Sequence, residues 1–288
     1  MSSRIRYLVA HLLLPFHEFW TRWGSKPGNE AFRILVLHDV PESHTPHFKR
    51  LLDYLLEEHG IITPQEAASR LLKKVFSKSI RQIPYLLTFD DGFKSNSLVV
   101  QKILGEYGLK AIFFICPGLV DLPPEKQLQT APPNIFRKNL PSPEVSSNFS
   151  LMNWEDLKSL VKDGHTIGSH TWSHRKLSSL SQPEDLAQEI IKPVAKIKNK
   201  LGIGIEWFAY PFGDLESIDA LSLQLIEKKY KFCCTGLRGI NSLKTPLMGL
   251  CRESINFNMD FDYQKIILKG GLDLCYHIKL MRYNKLVT

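Results

Sequence analysis

Short apolar runs alternate with longer stretches of helical periodicity along the middle of this chain, and few architectures accommodate that order. Phe32–Leu37, Tyr85–Phe89, Lys110–Ile115, Thr166–Ser169, Trp207–Tyr210 and Phe232–Thr235 read as strands. Between them, Phe48, Leu51, Leu52 and Leu55 mark a helix that Gly60 stops, and Leu98–Leu109 reads as a second. Asn153 can cap a third, running through Leu157, Leu160 and Val161 to Gly164. Ser181 and Glu184 have capping-box spacing, with Pro183 in the first turn. The helix they open would bury Leu186, Ile190, Val194, Ile197 and Leu201 and kink at Pro193. Ile218–Lys228 completes the set. Strand, helix, strand repeated this way implies a parallel sheet, open or closed into a barrel. Functional groups then belong at the carboxyl ends of the strands.

Pro117–Ser150 departs from this order, with seven prolines and few periodic apolar residues. It is expected to be an irregular insertion. The chain is read as an amphipathic basic segment (1–30), a catalytic domain (31–258) carrying the insertion 117–150, and a helical basic tail (259–288). In the first segment Leu8, His11, Leu12, Pro15, Phe16, Phe19, Trp20 and Trp23 recur at helical spacing behind Arg4 and Arg6. That pattern suits either a membrane surface or a helix packed on the domain. No convincing small-x-small site marks it as a cleaved signal peptide.

Composition removes several classes. Apolar residues at 43% and charged residues at 23% describe a folded core, not a disordered chain. No uncharged apolar run reaches the roughly 18 residues that span a bilayer. Lys and Arg number 37 against 29 Asp and Glu, a net charge of +8, and part of the excess is local. Lys279, Arg282 and Lys285 follow Asp273 with no further acid, and Arg4, Arg6, Arg22 and Lys26 face only Glu18. Basic ends around a mixed middle, with no zinc-finger or RNA signature, argue against nucleic acid. Cys116, Cys233, Cys234, Cys251 and Cys275 are odd in number and unsuited to a disulfide framework. They read as buried reduced thiols. The expected location is the cytoplasm, peripheral on the inner face of a membrane.

Four groups fall where strands end. Thr88-Phe89-Asp90-Asp91-Gly92 sets two carboxylates before a turn, although Asp-Asp-Gly is equally a solvated turn. His170-Thr171-Trp172-Ser173-His174 places two histidines four apart directly after a strand. With one carboxylate they make the three-ligand set of a catalytic metal with an open position; without it they are a surface coincidence. Phe208-Ala209-Tyr210-Pro211-Phe212-Gly213 is a rigid loop, either a structural turn or a sugar platform offering a backbone N–H to an oxyanion. Leu37-His38-Asp39 can be a general acid with an electrostatic partner, or a strand end capped by a hydrogen bond.

Taken together, these groups resemble the polysaccharide deacetylases, the NodB-homology domains of carbohydrate esterase family 4. Thr88–Gly92 resembles the family's first motif and His170–His174 its H-(S/T)-x-x-H motif. Met152-Asn153-Trp154 and the run Asp163–His170 resemble the approach to it, and Lys110–Phe114 the K-A-T-F-F strand. The resemblance spans roughly residues 32–256. It implies a distorted (β/α)7 barrel. It further implies a divalent metal held by Asp91, His170 and His174: Zn2+ first, with Co2+, Ni2+ or Fe2+ as alternatives. Asp90 would be the base acting on metal-bound water, and the Phe212 N–H would face the oxyanion.

Two departures qualify the match. Ala209 stands where the family often carries an arginine that orients the base, and Arg252 is the candidate replacement. The family's C-terminal Leu-x-His motif has no good counterpart after residue 235, His277 being a poor fit. Leu35–Asp39 fits better, which resembles circularly permuted members and makes His38 the general acid. The implied reaction is hydrolysis of N-acetyl groups on an amino sugar, in a polysaccharide or lipid-linked glycan. A deformylase or O-deacetylase would use the same site. A silent glycan-binding module on the same barrel, or a membrane-surface scaffold, would not need it.

Overall fold

A computed structural model describes residues 7–15, 28–72, 82–136 and 149–287. Its centre is one parallel sheet: β1 (Arg33–Leu37), β2 (Ile61–Ile62), β3 (Tyr85–Phe89), β4 (Ile112–Ile115), β5 (Thr166–Ser169), β6 (Trp207–Ala209), β7 (Phe232–Cys234) and β8 (Glu253–Ser254). The strand order is β7-β6-β5-β4-β3-β1-β8, with β2 beside the start of β3. One chain segment closes the ring. Leu250 bridges Cys234 of β7, and three residues on, Glu253 and Ser254 pair with Leu35 and Val36 of β1. The result is the expected (β/α) barrel of seven strands.

Side-chain alternation splits the core in two. Ile34, Leu86, Ile112, Phe114, Trp207, Ala209, Phe232 and Cys234 pack together in one cluster, inside the barrel. Leu35, Leu37, Leu87, Phe89, Phe113, Ile115, Ile167 and Phe208 belong to the other, under the helices. Four cysteines are buried, as expected, but Cys275 is exposed. A buried ionic group locks the closing segment. Arg33 pairs with Glu253 at 2.7 Å and with Asp273 at 2.6 Å, and Arg238 meets Glu253 at 2.7 Å. Removing any one member would strand a buried charge.

The helices are α1 (Thr45–Glu58), α2 (Pro64–Leu71), α3 (Gln101–Glu106), α4 (Pro117–Val120), α5 (Pro124–Phe136), α6 (Trp154–Lys162), α7 (Pro183–Ile190), α8 (Lys192–Leu201), α9 (Ala220–Glu227), α10 (Phe261–Leu268) and α11 (Asp273–Val287). Asn153 caps α6 through a full capping box with Asp156. Four expectations are corrected. Ser181 does not cap α7: Pro183 takes the first helical position, so Gln182 is the N-cap and the box is one residue out of register. The kink at Pro193 is a break, because α8 restarts with Pro193 in its first turn. Leu98–Leu109 is divided, with a π-turn over Asn96–Val100 before the short α3. The insertion is not wholly irregular either. It contains α4 and α5, the latter with Pro132 and Pro133 inside it, and residues 137–148 lie outside the described residues. Ala131 packs with Phe93, Cys116, Leu119, Phe149 and Leu151 in a separate small core beyond the carboxyl ends of β3 and β4.

Candidate active site

Each site group extends a strand by one or two residues, so the backbone ladder sets its position. The Asp90 N–H donates to Leu37 O at 2.9 Å, prolonging β1–β3 pairing, and the His170 N–H donates to Ile115 O at 2.8 Å, prolonging β4–β5. Asp90 keeps the alternation of Leu86 and Thr88 and points into the barrel. Asp91 would point away, but its φ of 71° turns it back toward the same mouth. The non-glycine residues with positive φ among those described are Asp91, Thr171, His174 and Phe212, all of them here. Such conformations persist where the surroundings enforce them, which is characteristic of functional sites.

Asp91, His170 and His174 are buried, and their donor atoms lie within 4.8 Å of one another. Asp91 Oδ1 is 3.1 Å from His174 Nε2 and 3.4 Å from His170 Nε2. His170 Nδ1 is 2.7 Å from Ala209 O, and His174 Nδ1 is 3.0 Å from Asn134 O. A carbonyl oxygen only accepts, so each Nδ1 carries its ring's proton and each Nε2 turns a lone pair inward. Asp91 Oδ1 is buried without a hydrogen-bond partner. Two inward imidazole lone pairs and an orphaned carboxylate oxygen fit a divalent cation.

Asp90 is anchored from the opposite side. Arg252 Nη1 and Nη2 donate to its two oxygens at 2.8 Å each, and Arg252 Nε donates to Thr235 O at 2.8 Å. Burial opposes ionisation of Asp90, but the Arg252 guanidinium overcomes it, so its carboxyl stays lowered. The guanidinium also lies 5.6 Å above the Phe114 ring. Arg252 thus holds a carboxylate that Ala209, on β6, has no polar side chain to reach.

His38 is exposed at the end of β1, near enough that a proton on its ring would favour ionised Asp90 and Asp91. Its neighbour Asp39 is engaged elsewhere, accepting from Ser95 Oγ at 2.6 Å. The Phe212 ring meets His174 edge-on at 4.9 Å. Below it the Tyr210 hydroxyl donates to Gly213 O at 2.9 Å, and a Cβ on Gly213 would come within 2.5 Å of Gly236 N. The barrel mouth therefore gathers all seven predicted site residues.

Two supporting residues escaped the sequence reading. Glu189 of α7, fully buried, accepts from Ser173 N at 2.9 Å and Ser173 Oγ at 2.6 Å. Its signal was there: Glu189 falls on the Leu186–Ile190 stripe, where a carboxylate needs a buried partner. Asn134 of α5 donates to Ser173 O at 2.7 Å while its own carbonyl holds His174. Nothing in the sequence marks it.

A closed parallel barrel with carboxylates, histidines and an arginine gathered at the carboxyl ends of its strands defines the class of barrel proteins that work from that face. Residues 78–229, more than half of the chain, match the polysaccharide deacetylase family, and the chain belongs to that family. It is 29% identical over 110 residues to chitin deacetylase 1 of Cryptococcus neoformans var. grubii, covering 38% of this chain and 21% of that protein. It is 30% identical over 69 residues to the uncharacterized protein YlxY of Bacillus subtilis, covering 24% of this chain and 21% of that one. The matched stretch thus spans about a fifth of each relative. Among solved structures it resembles IcaB from Ammonifex degensii, with TM-score 0.62 and 22% identity over 85% of this chain and 98% of that one. The Streptococcus pyogenes deacetylase PplD in complex with acetate gives 0.61 and 20% over 83% and 98%. The BpsB deacetylase domain from Bordetella bronchiseptica gives 0.63 and 17% over 80% and 98%. At these identities the structures speak for the fold.

Proposed function

We propose that the protein is a metal-dependent carbohydrate N-deacetylase, releasing acetate from an amino sugar within a glycan. The observation that carries this is the convergence of His170 Nε2, His174 Nε2 and the unpartnered Asp91 Oδ1 beside the Arg252-held carboxylate of Asp90. A divalent ion held by Asp91, His170 and His174 would supply Lewis acidity and lower the pKa of water, with Zn2+ the first choice for this donor set. The remaining work falls to the chain. Asp90, kept ionised and aimed by Arg252, takes the proton of the attacking water. The Phe212 N–H donates to the amide oxygen as it gains negative charge. The carbon–nitrogen bond then breaks, and His38 gives the leaving nitrogen its proton. The products are acetate and a free amine.

The position of β1 supports the assignment of His38. β1 lies parallel to β3 over its whole length, Leu37 opposite Phe89, so the first strand delivers a histidine beside the Asp90–Asp91 turn. The circularly permuted motif order has this physical meaning. The basic chain ends favour a lipid-linked or membrane-proximal glycan as substrate.

Plasma mass spectrometry on the purified protein, coupled to acetate release from N-acetylated amino-sugar oligosaccharides, tests the reading. About one divalent ion per chain with acetate release is the expected result. An ion without turnover on any such glycan favours the silent binding module. No ion after reconstitution with zinc or cobalt overturns the metal assignment.

A further inference from the structure

We propose that the outward face of α11, together with the helix of residues 7–15, forms a docking surface for an anionic lipid bilayer. The inference deepens the membrane-proximal substrate named above, but it stands on surface residues remote from the site.

α11 is pinned to the barrel along one side. Asp273 pairs with Arg33 at 2.6 Å, and the buried Tyr283 donates to Met248 O at 2.7 Å. The Tyr283 ring packs so closely on Gly249 that a Cβ there would lie 2.9 Å from it. The opposite side is apolar too. Leu274, Ile278 and Met281 stand one turn apart, 45%, 72% and 54% exposed. A helix apolar on two opposite faces needs a second neighbour.

The helix of residues 7–15 packs beside the turn that leads into α11. Ala10 is buried, and its carbonyl lies 3.0 Å from where a Cβ on Gly271 would sit, two residues before α11 begins. Its other side exposes Leu8 and Leu12 at 59% and 67%. Of twelve large apolar side chains exposed among the described residues, six belong to these two helices, so the exposure is concentrated.

Charge selects the occupant. Arg282 lies one turn beyond Ile278 and Lys285 one turn beyond Met281, with Lys279 beside them, and all three are exposed. None of the ion pairs among the described residues involves them, and no acid follows Asp273 in the sequence. Apolar residues flanked by cations that form no ion pair, Lys279 resting 5.7 Å from the Tyr276 ring, match the boundary between headgroups and acyl chains of an anionic leaflet. No helix among the described residues is long and apolar enough to cross a membrane, so the surface would lie on the bilayer.

Vesicle flotation of the full chain tests this, with phosphatidylcholine alone and with added phosphatidylglycerol. The wild type is expected to float only with the anionic vesicles and to detach in high salt. Ile278→Ser with Met281→Ser should weaken binding roughly tenfold or more. Lys279→Gln, Arg282→Gln and Lys285→Gln together should weaken it on the order of a hundredfold. Both variants should keep the wild-type melting temperature and acetate release from a soluble oligosaccharide, which separates this inference from the hydrolytic reading. Equal flotation with both vesicle types, or none, overturns it. So does a change from dimer to monomer in Ile278→Ser/Met281→Ser without any vesicle binding, which would make the face a contact between two copies.

Discussion

His170 and His174 are four residues apart and converge on one point, yet different parts of the molecule hold them. His170 leans on the barrel: its N–H extends the β4–β5 ladder, and its ring is fixed by Ala209 O of β6. His174 leans on the insertion: its ring is fixed by Asn134 O of α5, and its loop by Asn134 and Glu189 through Ser173. The barrel side is built from strands that carry the whole core. The insertion side rests on a small satellite core. Damage to the first should therefore appear as lost stability, and damage to the second as lost ion affinity in a folded protein.

The largest effect should come from removing what both sides share. Asp91→Ala is expected to abolish both bound ion and acetate release, as read by metal analysis beside a turnover assay. Retention of the ion would mean that the histidines bind it without the carboxylate. Next is Asp90→Asn, which should lower turnover by about a hundredfold to ten-thousandfold while leaving the ion in place. Near wild-type activity in that variant would remove Asp90 as the base.

The two histidine supports come next. Asn134→Ala and Glu189→Gln, each loosening the 171–174 loop, should weaken zinc affinity by about tenfold to a hundredfold in a competition titration. Their melting temperatures without metal should stay close to wild type for Asn134→Ala. If Asn134→Ala leaves affinity untouched, the insertion does not position His174; if Glu189→Gln does, α7 does not. On the barrel side an effect of similar size should fall on stability instead of ion affinity. Gly168 lies under His170, and a Cβ there would come 2.5 Å from Phe114 Cδ1 and 3.1 Å from Trp207 O. Gly168→Ala should cost about 1–3 kcal/mol of stability by overpacking, measured by denaturant unfolding. A neutral Gly168→Ala would erase the contrast between rigid barrel and tolerant insertion.

Local pattern carried far in this chain. Tyr85–Phe89 and Thr166–Ser169 form strands with the bounds their apolar runs imply, and Asn153 caps α6 as its position before Trp154 suggests. Helix starts were harder. Ser181 and Glu184 have the right spacing, but proline preference for the first helical position moved the cap by one residue. α5 was hidden because Pro132 and Pro133 interrupt its period, and packing against Phe93 and Leu151 outweighs their cost.

By itself the sequence determined the strand–helix order and the buried faces, because these depend on neighbours within a few residues; Asp90, Asp91, His170 and His174 stood out through their resemblance to the family's motifs. Only the tertiary structure decided that Arg252 grips Asp90 across 162 positions of sequence, that β1 lies against β3, and that Asn134 and Glu189 hold the His174 loop. Those contacts arise from closing the ring through Leu250–Ser254 and folding the insertion over the barrel mouth. Closure joins residues far apart in the chain, and periodicity, which reports only a residue's own turn or strand, contains no trace of its partner across the barrel.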